Sequence, residues 1–431
     1  MLNERFGVNE KGNLTLGGVD TVELAKTYGT PLYVMDENDI RNSCRQFQNA
    51  FEKYYGGNAK VYFASKAFSC KEMYRIVDSE SLCADVVSGG ELYTALSAGF
   101  PAEKIGFHGN NKTPDELSFA LDSNVGRIIV DNIFELHTLD SLAKEKGKVQ
   151  KILLRIKPGI DCHTHDYIKT GQIDCKFGFA LENGEAFEAI GEAIKMENVE
   201  LVGIHCHIGS QIFETQPFVD AADIMVALAK NTKESFGKTL TEINFGGGYG
   251  VKYLETDKPV PKDESIRLLC EAVKEACIKY NFPLPALSIE PGRSIVGDAN
   301  LTLYIVGVVK TIKDVRTYVS VDGGMSDNPR YALYGAEYEA IVANKADKPR
   351  DFTATIAGKC CESGDLIQEH TKIQTPEVGD TLAVLTTGAY NYSMASNYNR
   401  IPRPAAVMIK DGTPRLIIER ETYEDLIRKD I

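Results

Sequence analysis

The chain of 431 residues predicts an α/β fold joined to an all-β unit: a (β/α)8 barrel with a second, mostly antiparallel β domain. Three observations carry that expectation. Eight short apolar runs alternate with helical patterns between about residue 60 and residue 297. The first four are spaced by about 22 residues, the length of a compact βα unit. After Gly297 the texture changes to β-rich runs with few helices between them.

The first 34 residues hold Leu14-Thr-Leu16 and Leu32-Tyr-Val34, which do not fit the barrel period and are expected to join the β domain. The barrel is therefore assigned to residues 35–297, and the β domain to residues 1–34 and 298–431. The eight runs are 61–64, 82–87, 105–108, 127–130, 151–156, 201–207, 242–245 and 286–290. Between them, Thr113-Pro-Asp-Glu116 supplies an N-cap, a proline at the first helical position and a capping-box glutamate. Asn132 precedes Ile133, Leu136, Leu139 and Leu142, a single apolar face that Gly147 can end. Parallel strands with covering helices favour a closed barrel over an open doubly wound sheet. Beyond Gly297, β-runs are expected at 301–309, 317–321, 352–356, 381–385 and 405–409.

Composition narrows the partners. A hydrophobic fraction of 43% beside 25% charged residues belongs to an ordinary globular protein. The net charge of −13 argues against nucleic acid as a partner. No run reaches the length of a membrane span, and the opening residues lack the apolar core of a secretory signal. Ten cysteines without a CxxC pair read as reduced thiols, so a cytoplasmic location is expected.

In a barrel the C-terminal strand ends form one rim, where chemistry collects. Strand one runs into Lys66, a single cation after Val61-Tyr-Phe-Ala-Ser. Burial would lower its pKa and free an amine able to condense with an aldehyde. Strand two ends in Asp85-Val-Val-Ser-Gly-Gly90, where Asp85 is either a helix cap or a site acid. Strand six ends in His205-Cys-His207-Ile-Gly-Ser210, and alternation puts the two histidines on one face. They are zinc ligands, satisfied core residues, or a ring to stack on a flat cofactor with Ser210 beyond it. Strand seven ends in Gly246-Gly-Gly248, whose N–H groups can converge on an anion. Strand eight ends in Glu290-Pro-Gly292-Arg293, a carboxylate for a protonated ring nitrogen and a cation for a phosphate or carboxylate. An amine for an aldehyde, an imidazole, a carboxylate and a glycine cradle together describe a pyridoxal 5'-phosphate site.

Other polar segments are less specific. Cys162, His163, His165 and Cys175 match no structural zinc spacing and read as a polar loop, so no metal is assigned. The β domain offers Arg330 and Tyr334 four residues apart, the turn Cys360-Cys361-Glu362-Ser-Gly-Asp365, and Tyr390. A thiol beside an acid is either a proton donor or an incidental loop cysteine.

These motifs, with Phe107-His-Gly-Asn-Asn-Lys112, Lys176-Phe-Gly178 and Ser396-Asn-Tyr-Asn399, run in order over nearly the whole chain. They resemble the alanine-racemase-like barrel class of pyridoxal phosphate enzymes, and within it the diaminopimelate decarboxylase family. The resemblance implies that Lys66 would bind the cofactor covalently, with Asp85 beside it. His207 would stack on the ring, and Glu290 would keep its nitrogen protonated. Ser210, Gly247, Gly248, Gly292, Arg293 and Tyr390 would surround the phosphate. Arg293, Arg330, Tyr334 and Tyr390 would hold the distal carboxylate of meso-diaminopimelate, and Glu362 its distal amine. Cys361 would be the general acid, supplied by the partner of a homodimer. The sequence departs from the family pattern at Tyr331, where proline is common. Rival readings are a decarboxylase of ornithine, lysine or arginine, and, from another class, a zinc-dependent barrel hydrolase using His205 and His207.

Overall fold

The structure is a computed structural model that describes residues 5–160 and 175–431. His163 and His165 therefore lie outside the described residues. By contacts the chain divides into two compact units: residues 43–250 with 259–294, and residues 1–42 with 251–258 and 295–431.

The first unit is a closed barrel of eight parallel strands. They are Ala59–Ala64, Cys83–Val86, Ile105–Phe107, Arg127–Val130, Gln150–Lys157, Val199–Cys206, Glu242–Asn244 and Ala286–Ile289. Strand eight returns to strand one through Leu287 opposite Ala59, which closes the ring. Each expected run falls on one of these strands, and the open-sheet alternative is excluded. Phe179–Ala180 adds a short parallel pairing to the end of strand five.

Local rules set the covering helices. The Thr113 hydroxyl accepts from Glu116 N–H while the Glu116 carboxylate accepts from Thr113 N–H, a complete capping box on Pro114–Asp122. Asn132 caps Ile133–Glu145 by accepting from Glu135 N–H. Its inward face is Leu136, Leu139 and Ala143; of the other two residues expected there, Leu142 is half-buried and Ile133 is exposed. Position 133 opens the first turn, where the helix has not yet settled onto the barrel strands.

The second unit is a mostly antiparallel sheet. Its order is Leu366–Ile373, Phe352–Ala357, Arg316–Val321, Asn300–Ile312, Leu32–Asp36, Ala405–Lys410 and Thr413–Ile418. Only two neighbouring pairs along this order, Arg316–Val321 with Phe352–Ala357 and Ala405–Lys410 with Leu32–Asp36, are parallel. The long strand Asn300–Ile312 serves two sets of neighbours. Its first half pairs with Leu32–Asp36 and Thr381–Leu385, its second with Arg316–Val321. The register shifts between Val306 and Val308, at Gly307, as a bulge does when it turns a strand. Leu14, Leu16, Leu32, Val34, Leu301, Leu303, Leu385 and Val407 share one apolar core. The N-terminal segment is thus part of this unit's interior.

Candidate active site

The barrel gathers most of its expected groups at the strand ends. Glu290 follows strand eight and is 6% exposed. Its Oε1 lies 2.8 Å from His108 Nε2 and accepts from Asn244 Nδ2 at 2.8 Å, while Oε2 lies 3.1 Å from His205 Nε2. Burial works against the charge, but His108 and His205 hold the carboxyl well below the usual range. Burial likewise opposes protonation of His108, yet the fields of Asp85 and Glu290 raise its pKa. Burial carries His205 the other way, down to about 4. The arrangement is an ionised Glu290 between His108, whose protonated form its acidic neighbours favour, and a neutral His205.

Asp85 is not a helix cap: it lies inside strand two, and Ser88 caps the following helix by accepting from Glu91 N–H. Its carboxyl is buried, Oδ1 has no hydrogen-bond partner, and burial pushes the pKa up to about 6 against the fields of His108 and Lys66. Lys66 departs from expectation in one respect. Its side chain is exposed, because it sits on the single turn Ser65–Ala67 that leaves strand one at the open end of the barrel.

His207 lies one residue beyond strand six, and its Nδ1 accepts from Gly247 N–H at 3.2 Å. Burial lowers its pKa well below the ordinary value, with Lys66 and Arg155 adding to the shift. Among the described residues, the group whose ligand-type atoms lie within 4.8 Å of one another is His108, His205 and Glu290, which does not include His207. Those atoms are already matched as carboxylate and imidazoles.

The glycine run is a close-packed cradle. Gly248 has φ +116°, and a side chain there would meet Gly209 O at 2.8 Å. One at Gly247 would strike the carbonyl of Glu290, and one at Gly292 would meet Ala64 Cβ at 3.0 Å. Beside it, Arg293 Nη2 donates to Ser210 Oγ at 2.9 Å.

These groups fit pyridoxal phosphate. A carboxylate offers about four acceptor sites, and Glu290 has three neighbours, which leaves room for a donor on a cofactor ring. The glycines bring backbone close without side chains, as an anion requires. The amine of Lys66 stands at the end of the adjacent strand.

The sheet unit carries a second cluster. Arg330 opens the short helix Arg330–Tyr334 and is 8% exposed. Its Nη1 donates to Tyr338 OH at 3.0 Å and Tyr253 OH at 3.3 Å. The guanidinium carbon lies 5.5 Å from the Tyr390 ring centre and 5.9 Å from that of Tyr334. No carboxylate pairs with Arg330 among the described residues. Cys361 and Glu362 stand apart from this cluster on an exposed turn, where Cys361 N–H donates to Asn399 Oδ1 at 2.7 Å. Cys360 is buried, and burial pushes its thiol up to about 11.

Sequence reasoning missed His108, Asn244 and Glu91. Glu91 accepts from Val87 N–H at 2.8 Å, and burial raises its pKa to about 7. His108 was within reach, since it ends the run 105–108 just as His207 ends the run 201–207.

A closed barrel with an amine, an ionised carboxylate, an imidazole and a glycine cradle at its strand ends defines a pyridoxal-dependent decarboxylase of the barrel class. The family described as "Pyridoxal-dependent decarboxylase, pyridoxal binding domain" matches residues 37–297. Diaminopimelate decarboxylase of Bacillus subtilis strain 168 is 51% identical over 98% of this chain and 96% of its own length. The Bacillus methanolicus enzyme of the same name is 52% identical over 96% of each. Among solved structures, diaminopimelate decarboxylase from M. jannaschii in complex with L-lysine aligns with a TM-score of 0.92. It is 37% identical and is covered over 99% of its length, against 100% of this chain. The chain belongs to the diaminopimelate decarboxylase family.

Proposed function

We propose that this chain removes carbon dioxide from meso-2,6-diaminopimelate and releases L-lysine, the last step of lysine biosynthesis, with pyridoxal phosphate as cofactor. The observation that carries the substrate is Arg330, a buried cation whose described partners are all neutral aromatics. A buried guanidinium without a carboxylate needs an anion from outside. As substrates, ornithine and lysine carry only the carboxylate that is lost and have no second one to offer it; diaminopimelate does.

Lys66 would hold the cofactor through its amine, with Asp85 beside it. His207 would lie against the ring, and Glu290, kept ionised by His108 and His205, would accept a hydrogen bond from the protonated ring nitrogen. Gly247, Gly248, Gly292, Ser210, Arg293 and Tyr390 would bind the phosphate. Bound pyridoxal phosphate supplies the sink for the electron pair that departing carbon dioxide leaves behind. Arg330 with Tyr334 orients the substrate through its distal carboxylate, Arg293 and Tyr390 support it, and Glu362 takes the distal amine. Cys361 Sγ delivers the proton that the α-carbon then needs. The exposure of Cys361 and Glu362 suits a homodimer in which each chain completes its partner's site. A cytoplasmic location suits Cys70, Cys83, Cys175, Cys270, Cys277, Cys360 and Cys361, all free thiols.

The test is carbon dioxide release by purified protein, with and without added cofactor, from meso-diaminopimelate, ornithine and D- and L-lysine in parallel. Cofactor-dependent release from diaminopimelate alone is expected. Release from a simple diamino acid instead would keep the barrel site and overturn the substrate.

A further inference from the structure

Behind Arg330 runs a buried polar chain that nothing in the reaction so far uses. Tyr338 is 1% exposed, and its hydroxyl oxygen accepts from Arg330 Nη1 and, at 3.3 Å, from Asn391 Nδ2. Asn391, fully buried, also donates to Thr387 O at 3.2 Å. The Thr387 hydroxyl donates to Asn300 Oδ1 at 2.6 Å and lies 2.7 Å from the Thr302 hydroxyl. The chain thus ties Arg330 to the central strand Asn300–Ile312.

Asn391 also follows Tyr390, whose backbone is left-handed at φ +74°. A bulky residue keeps such a conformation only when its surroundings hold it there. The bonds of Asn391 to Tyr338 and Thr387 fix the residue next to it, so one side chain steadies both Tyr390 and the phenol on Arg330. From the other side, Tyr253 packs edge-on against Tyr338, with ring centres 5.4 Å apart, and shares Arg330 Nη1.

Donor accounting gives this chain a purpose. The Tyr338 oxygen receives two donors, which uses its acceptor capacity, and its own proton has no acceptor among the described residues. Arg330 spends Nη1 on the two phenols, while Nε and Nη2 have no described partner. The guanidinium is therefore pinned by one nitrogen, with the rest of its fork open to a carboxylate. We infer that Tyr338, backed by Asn391, is a positioning residue that fixes Arg330 for the distal carboxylate and so sets selectivity for a carboxylate-bearing diamino acid. The inference rests on the proposed role of Arg330 and goes beyond it.

The test is inhibition of the cofactor-loaded enzyme by a matched pair: L-lysine, which keeps the distal carboxylate, and cadaverine, which lacks it. Tyr338→Phe removes only the hydroxyl. Loss of a hydrogen bond to a charged group is expected to weaken L-lysine about tenfold or more. Cadaverine inhibition and bound cofactor, read from its visible absorbance, are expected to stay unchanged. Equal weakening of both inhibitors, or of neither, would overturn the inference. Arg330→Ala separates the two levels. If it leaves L-lysine affinity intact, the role of Arg330 itself fails; if it weakens L-lysine while Tyr338→Phe does not, only Tyr338 is misassigned. Should Tyr338→Phe not fold, Asn391→Ala carries the same comparison with the same two outcomes.

Discussion

Asp85 offers a direct measure of what the barrel gives up for its site. Burial raises its carboxyl from 3.8 to about 6, a displacement worth about 3 kcal/mol of lost stability once the group is ionised. The sign follows from proton binding. Between these two values the folded chain holds more proton than the unfolded chain, so stability falls as pH rises through that window. Above it the full loss stands. Asp85→Asn removes the titration. It adds a pH-independent term of about 1 kcal/mol for an amide that is no better satisfied than the acid. The variant is therefore expected to be no more stable than the parent near pH 4. By pH 8 it should be the more stable protein by up to about 2 kcal/mol. Thermal unfolding of both cofactor-free proteins at the two pH values reads the difference. A gap that stays constant with pH, or that turns against the variant as pH rises, would refute the account, because Asp85 would then be stabilised as a charge. Turnover of the loaded variant is expected to drop even as stability climbs.

Three further outcomes are expected. Lys66→Ala should abolish turnover and prevent borohydride from fixing cofactor to the chain; retained covalent labelling would assign another lysine. Cys361→Ala should lower turnover by about 10² or more, in the range of a lost general acid, while Cys360→Ser stays near wild type; the opposite ranking would exchange the two thiols. Lys112 and Glu135 form a buried pair at 2.6 Å, so Lys112→Met should destabilise the protein by about 3 kcal/mol in chemical unfolding. Replacing Glu135 with glutamine in the same chain should restore much of that loss, and a merely additive double variant would show that the pair is not coupled.

Much of the barrel was legible because each strand is a short apolar run closed by a turn signal, and a parallel strand covered on both faces needs little else. Five strands of the sheet unit were not: Phe6–Val8, Val19–Asp20, Ala340–Val342, Leu366–Ile373 and Thr413–Ile418. Leu366–Ile373 contains Gln368, Glu369, His370, Thr371 and Lys372, a polar stretch with no alternation to read. Two of these have tertiary roles: Gln368 accepts from Tyr338 N–H at 3.0 Å, and Glu369 pairs with Arg316 at 2.6 Å. Ala340–Val342 is too short to show a period. At the site, the strand-end rule pointed to Lys66, Asp85, His207 and Glu290, which the structure places at or near strand ends, but not to Asn244. A neutral amide inside a strand carries no sequence signal until its acceptor, Glu290, is placed opposite it. Tyr338 was invisible for the same reason.

The two acids of the barrel show how one fold assigns different states to like groups. Asp85 and Glu290 are both buried, and the charge of Glu290 helps burial to raise the pKa of Asp85. Glu290 has His108 at 2.8 Å, His205 at 3.1 Å and Asn244 at 2.8 Å, and stays ionised. Asp85 has an oxygen with no partner and titrates at about 6. Environments that drive two carboxyls apart mark a division of labour. In the proposed site Glu290 would be the permanent anion that a protonated ring nitrogen needs, and Asp85 the group whose charge can change beside the Lys66 amine. The sheet unit applies the converse rule to Arg330, where neutral phenols orient the cation without neutralising it. An internal carboxylate there would have made a better ion pair and a worse receptor, since a substrate would first have to break it.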